Sequence, residues 1–364
     1  MGVIEVSEFL DHGVVRRNVR IPYKGVEDFY FASAVAPGFS DAHAHPQVVD
    51  VGEPGRWANS YEWLENRRLR VDEAGIRRDA ELSSLLARAT LLSSLLEGAT
   101  LVALTGSLEG NVKALLSLPV SPRVVLLPTV MDREGWSSPE VVYAEYIRNL
   151  SRWDGFFNMG FFVHSLRRTS PSYLLASYKT SLKLRIPFAL HLSEGIDESD
   201  TLVEVLGGAS ENIIAVHCIV GAEKCKSLGI RVVHCPTSNT YLYNRTLNNI
   251  EYFDALGSDW PLVTGTVAKT YLDAVRIHGA GIKLLEKATA GGYRILRMKS
   301  SGDIVAFDAD LERVLRGEVR PRAVLVDGVI AVYENNIPRM NLSGSDVKKI
   351  KEEAVKLAFE RYGV

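Results

Sequence analysis

The sequence predicts an α/β fold: a (β/α)8 barrel of the TIM type with a small β-sandwich domain formed from both termini. Three observations predict it. Strand-like and helix-like patterns alternate through the middle of the chain, as they do where crossover helices join the strands of a parallel sheet. Strand-like segments flank that region on both sides, and two flanking segments meet most simply in one small domain. Four short apolar runs end in side chains that bind metals, as buried parallel strands do when they deliver a site at their C-terminal ends. The domains that follow are 1–34 with 302–336 for the β-sandwich, 35–301 for the barrel and 337–364 for a C-terminal helix.

Each element has a local reason. Residues 1–34 are strand-like, with charged turns at Arg16-Arg17 and Glu27-Asp28. Val35 to Pro46 passes through small and apolar residues into Asp41, His43 and His45, and reads as the first barrel strand. Pro46 to Ile76 is long for a strand-to-helix connection and carries Trp57, Tyr61, Trp63 and several arginines. Long βα loops sit over a barrel's active site, so this one is expected to be a substrate-covering loop with a short helix inside. Ala80 to Glu97 reads as a helix closing at Gly98. Thr100 to Thr105 and Arg123 to Val130 read as buried strands, and Gly155 to His164 as the fourth strand. Pro171 to Arg185 is a helix capped by Ser170. Phe188 to Glu194 and Ala215 to Cys218 are further strands with polar ends. Thr266 to Ala290 reads as one long helix. Asp327-Gly328 marks a turn between returning strands, and Ser343 to Tyr362 is a charged amphipathic helix.

Composition narrows the function. The 364 residues can bury a large core, and the 46% hydrophobic and 24% charged content is that of a soluble globular protein. A net charge of −2 gives no basic footprint for nucleic acid. The absence of an apolar run of about 18 residues argues against a membrane span. No basic, then apolar N-terminal segment marks a signal peptide. Cys218, Cys225 and Cys235 do not make a secreted disulfide framework, so cytoplasmic residence is expected. Gln47 is the single glutamine, a depletion of thermolabile amides that points to a thermophilic source.

The chemistry lies at the strand ends. His43-Ala44-His45 places two imidazoles on one face of a strand, half of a tetrahedral metal site. His191 is followed three residues on by Glu194. His217 ends the next strand, His234-Cys235-Pro236-Thr237-Ser238-Asn239 follows, and Gly257-Ser258-Asp259-Trp260-Pro261 supplies a carboxylate. Ala290-Gly291-Gly292-Tyr293, then Gly302-Asp303-Ile304-Val305-Ala306-Phe307-Asp308 and Val326-Asp327-Gly328, complete the series. In this order the motifs resemble the amidohydrolase superfamily of metal-dependent barrels, in its aminohydrolase (deaminase-like) branch. The resemblance covers most of the chain.

The resemblance implies His43, His45, His191 and Asp259 as ligands of one divalent metal ion, Zn2+ first and Fe2+ second. It implies Glu194, His217 and Asp259 as catalytic residues. Asp259 takes the first proton of the metal-activated water, and Glu194 protonates a ring nitrogen and then the leaving ammonia. Gln47, Trp63, His164 and His217 are the expected substrate contacts. His217 has two open roles, binding a second metal or orienting water and substrate. The fourth strand holds no lysine or acidic bridge, which favours one metal. Asp41 either holds an imidazole or caps the strand end. Thr264-Gly265-Thr266-Val267 is a second candidate for the eighth strand, but it puts Val267 where the carboxylate belongs. His234 is expected near the site without being a ligand, and Cys218 and Cys235 are expected to be core residues. The implied activity is hydrolytic deamination of an amino-substituted heterocycle of purine, pyrimidine or nucleoside-like type. The alternatives are an imidazolonepropionase-like cyclic amide hydrolase and a non-catalytic barrel. The implied partner is the small heterocycle itself, with neither nucleic acid nor membrane; a homodimer is the expected assembly.

Overall fold

The computed structural model describes residues 2–25, 31–149 and 156–364. The Glu27-Asp28 turn and Gly155 lie outside the described residues. Three strands open the chain: β1 (Gly2–Asp11), β2 (Val14–Tyr23) and β3 (Phe31–Pro37). Nine segments follow in the barrel: β4 (Phe39–Ala44), β5 (Ala99–Gly106), β6 (Arg123–Val130), β7 (Phe157–Met159), β8 (Phe161–Val163), β9 (Phe188–Leu192), β10 (Ile213–His217), β11 (Arg231–His234) and β12 (Ala255–Leu256). Five short strands return: β13 (Ile304–Phe307), β14 (Ala323–Val326), β15 (Val329–Tyr333), β16 (Asn336–Ile337) and β17 (Leu342–Ser343).

The barrel strands run in the order β12-β11-β10-β9-β8-β6-β5-β4, all parallel, with β7 also paired to β6. Closure comes from β4 meeting the segment just past β12, through an isolated bridge between Ala44 and Asp259. The Asp259 amide donates to His43 O at 2.9 Å, and the His45 amide donates to Asp259 O at 2.6 Å. The barrel is filled by side chains including Ala42, Leu101, Val125, Phe162, Ala189 and Ile214, sealed at the bottom by Tyr293, Leu296 and Met298. Helices pack outside over a second, larger apolar cluster.

The terminal segments meet as one eight-stranded, mostly antiparallel sheet in the order β17-β16-β15-β14-β13-β3-β1-β2. Arg123 at the start of β6 ties it to the barrel. Its guanidinium holds Asp303 in a bidentate pair at 2.6 and 3.1 Å, and Asp303 also accepts from the Tyr293 hydroxyl and the Asp327 amide. The final helix, Gly344–Tyr362, starts on a capping box made by Ser343 and Asp346. It packs against the helix Ala80–Leu96, which is capped by Asp79 and ends before Gly98 (φ 96°).

One helix differs from the sequence reading. The expected single helix from Thr266 to Ala290 is Val267–His278, then Ile282–Glu286, then one π-helical turn at Lys287–Gly291. Gly279, at φ 80°, ends the first piece, and the Gly279-Ala280-Gly281 step is too weak a helix former to bridge them. The π turn brings Gly291 against the Asp254 carbonyl, where a Cβ would come to 2.2 Å. Among the described residues no helix is long and apolar enough to cross a membrane.

Candidate metal centre and cavity

The bonds that close the barrel also place the site. His43 lies near the end of β4, His45 just past it, and Asp259 three residues past β12, so the closing pairs put these three residues side by side. The register of β4 against β5 slips between Asp41 and Ala44. That irregularity lets Ala42 pack in the barrel interior while both imidazoles still reach inward, where each lies against Phe162. Gly257 leaves the space they need, since a Cβ there would come within 2.9 Å of His43 Cβ. The backbone turns left-handed at Ser193 (φ 57°), His217 (78°) and Asp259 (63°), three strand ends around one opening. Such geometry is uncommon outside glycine and concentrates at functional sites.

Four side chains converge. His45 Nε2 and His43 Nε2 each lie 3.2 Å from His191 Nε2, while Asp259 Oδ1 is 3.4 Å from His43 Nε2 and 3.6 Å from His45 Nε2. All four ligand atoms fall within 4.8 Å of one another. A tetrahedral ion with bonds of about 2.0–2.1 Å has ligands about 3.3–3.4 Å apart, so the spacing fits such an ion. The donor chemistry agrees. Burial pushes the His43, His45 and His191 imidazoles down, keeping them neutral. Burial works to raise the Asp259 carboxyl, but the imidazoles of His43, His217 and His45 outweigh it and hold the group ionised. His45 is oriented from behind: Thr105 Oγ1 donates to Ala44 O at 3.0 Å, so it accepts from His45 Nδ1 at 2.7 Å, which leaves Nε2 as the free lone pair.

Two more side chains stand beside the cluster. Glu194 is buried, and that burial raises its carboxyl against the opposing effects of His217 and the Tyr243 hydrogen bond. Its Oε1 lies 3.8 Å from His217 Nε2. His217 Nδ1 donates to Asn239 Oδ1 at 2.8 Å, and Asn239 is itself oriented by a 3.2 Å bond to Thr246. His217 Nε2 is 3.9 Å from Asp259 Oδ2. His191, Glu194 and His217 also form a second convergent group. Asn239 ends the His234–Asn239 segment read from sequence, and Tyr243 lies beyond it. They lie four residues apart on the helix Pro236–Tyr243 and so share the face turned toward the site, a spacing that was available to read.

A cavity of about 270 Å³ opens above these groups. Its floor includes His45, His191, Glu194, His217 and Asp259. Trp63 and His164 line it, as do other residues of the segment after β4, including Val48, Ser60 and Arg67. Trp63 donates to Val51 O at 3.2 Å and packs its ring 5.6 Å from Trp260. The segment carries two helices, Ser60–Asn66 and, at its end, Glu73–Arg78. His164 packs edge-on to His191, and burial together with Arg77, Arg67 and Arg168 lowers its imidazole to about 3. Gln47 is not among the lining residues. Its amide is taken up by Asn111, the Ser83 carbonyl and the Ser107 amide, so the structure does not bring it to substrate. Asp41 holds no imidazole; it accepts from the Ser258 and His43 amides, and burial raises it to about 7. Val267 starts a helix and is fully buried in the apolar core, away from the cluster. His234 pairs with His278 at 3.4 Å and packs on Phe253, outside the cavity lining.

No family model and no curated protein matches this chain. Solved structures share its fold. Atrazine chlorohydrolase TrzN from Arthrobacter aurescens TC1, complexed with zinc, is 15% identical with a TM-score of 0.77, over 98% of this chain and 100% of that one. An adenosine deaminase from Xanthomonas campestris with bound zinc is 17% identical with a TM-score of 0.76, over 98% of each chain. E. coli guanine deaminase is 15% identical with a TM-score of 0.70, over 92% of this chain and 100% of that one. The likeness establishes the fold: a parallel (β/α)8 barrel with a terminal β-sheet, spanning nearly the whole of each chain.

Proposed function

We propose that the chain is a metal-dependent hydrolase of the amidohydrolase superfamily that deaminates an amino-substituted heterocycle. The observation that carries the reading is the pairing of two devices in one cavity: a four-ligand cluster and, beside it, the buried carboxyl of Glu194, held by Tyr243 and raised by its burial. His43, His45, His191 and Asp259 would hold one divalent ion, with zinc favoured because two fold neighbours bind it. Such an ion supplies Lewis acidity that makes water nucleophilic near neutral pH. Glu194 is placed to move protons. Its raised affinity lets it take the two protons of the attacking water in turn at Oε1, passing the first to a ring nitrogen and the second to the departing amine. His217, fixed by Asn239, orients the reacting groups, while Trp63 and Trp260 exclude water from above. The net change replaces a C–NH2 bond with a C–O bond, consuming water and releasing ammonia.

The fold neighbours displace different groups, an amine in the two deaminases and chloride in the chlorohydrolase by their names. An amine needs a proton to leave and chloride does not, so the raised Glu194 favours the amine. The test is a screen of amino-heterocycles for ammonia release by zinc- and iron-loaded protein. Ammonia from at least one compound, dependent on metal, supports the reading. Metal-dependent opening of a cyclic amide without ammonia would replace it.

A further inference from the structure

The cavity lining around the helix Glu73–Arg78 carries more cationic charge than the protein neutralises. Arg67, Arg77, Arg133 and Arg168 all line the cavity, whose carboxyls are Glu73, Glu194 and Asp259. Glu73 is engaged by Arg67 through two bonds, of 2.6 and 3.3 Å, and reaches Arg77 only at 3.5 Å. Arg77 is therefore underused. Its side chain is 11% exposed, its terminal nitrogens make no hydrogen bond among the described residues beyond that 3.5 Å contact, and its Nε, closed off from the cavity, has no partner. A buried guanidinium donor without an acceptor is costly and calls for an explanation. The ring of Trp136 stacks on it at 4.5 Å and holds it in place. Among the described residues neither Arg133 nor Arg168 forms an ion pair within 4 Å; Arg133 acts only at longer range, on Asp132. The two other carboxyls of the cavity are committed, Asp259 to the ligand cluster and Glu194 to Tyr243.

We infer that the substrate carries an oxyanion, a carboxylate or a phosphate, received by Arg77 with Arg133 and Arg168 at the rim. This rests on the reading of the same cavity as a hydrolytic site and adds the substrate's charge class to it. Planar guanidinium groups match carboxylate and phosphate oxygens in paired hydrogen bonds, and a cavity of surplus positive charge concentrates anions. The heterocycle lies over the ligand cluster, and its acidic substituent points to the Arg77–Trp136 wall.

The test runs neutral and acidic partners side by side on zinc-loaded protein: cytosine with cytosine-5-carboxylate, and adenosine with adenosine 5′-monophosphate. Ammonia release and the thermal midpoint with each compound are the two readouts. The expected result is a kcat/KM at least about tenfold higher for the acidic member of a pair. In Arg77→Met that preference falls about tenfold or more, through KM, and the pair showing it identifies carboxylate or phosphate as the group. Equal turnover of both members, with the ratio unmoved by Arg77→Met, overturns the inference and leaves the hydrolytic reading standing. No ammonia from any compound, with acidic members still raising the midpoint of the parent but not of Arg77→Met, sinks the deaminase reading and upholds the oxyanion site. Neither ammonia nor anion-dependent stabilisation overturns both. If Arg77→Met does not fold, Arg168→Gln makes the same comparison at a partly exposed position.

Discussion

The phenol of Tyr243 donates a 2.7 Å hydrogen bond to Oε2 of Glu194, leaving Oε1 to face His217 Nε2. The bond joins the helix after β11 to the loop after β9, so two separate βα units fix one carboxyl. It also decides which oxygen is free to carry a proton.

Replacing Glu194 with Gln keeps the shape and removes the proton carrier. Turnover of the substrate found in the screen should fall by about 10²–10⁴-fold, the usual effect of losing general acid–base catalysis. Zinc content should stay the same, because Glu194 stands outside the four-ligand cluster. A Glu194→Gln protein with near-full activity removes this residue from the mechanism.

Tyr243→Phe tests the same pair through pH. The Tyr243 bond favours the ionised Glu194 and opposes the rise that burial causes. Without the bond the carboxyl rises further. The limb of kcat/KM that reports loss of the Glu194 proton should therefore move to higher pH than in the parent. An unmoved limb assigns that titration to another group.

Much of the site was legible because strand ends in a barrel obey simple rules. His43 and His45 sit at a spacing that puts both on one side of a strand, and the structure brings them together with His191 and Asp259. The β4 register slip could not be read, since it depends on how β5 pairs. Nearness in sequence to His45 does not bring Gln47 to the cavity lining, because its side-chain amide donates to Asn111 instead. Arg77 and Glu73 carry no signal in the sequence, because their meaning depends on which charges fold around one cavity. The helix expected from Thr266 to Ala290 failed at Gly279, where a local breaker outweighed the apolar periodicity on either side.

Asp303 and Arg123 bear on stability. Both side chains are almost fully buried, at 0% and 6% exposure, and join the terminal sheet to the barrel. Asp303→Ala leaves a buried guanidinium short of its main acceptor, a change that typically costs about 3–5 kcal/mol. Thermal unfolding should show a clear drop in midpoint. A midpoint equal to that of the parent means that the pair is not holding the two parts together.

Val267→Ala should act on stability alone. It deletes buried apolar volume worth about 1–2 kcal/mol and touches no ligand. Metal content and turnover should match the parent at temperatures where both are folded. Loss of bound metal in this variant returns the eighth-strand role to the Thr264-Gly265-Thr266-Val267 segment.

The most direct measurement is the metal content of purified, zinc-loaded protein beside Asp259→Ala. The parent should hold about one divalent ion per chain, because four neutral or anionic donors converge at tetrahedral spacing. Asp259→Ala, lacking the carboxylate of that set, should hold much less after the same dialysis. A parent protein that cannot be loaded, or one that binds two ions per chain with His217 recruited as a ligand, contradicts the account.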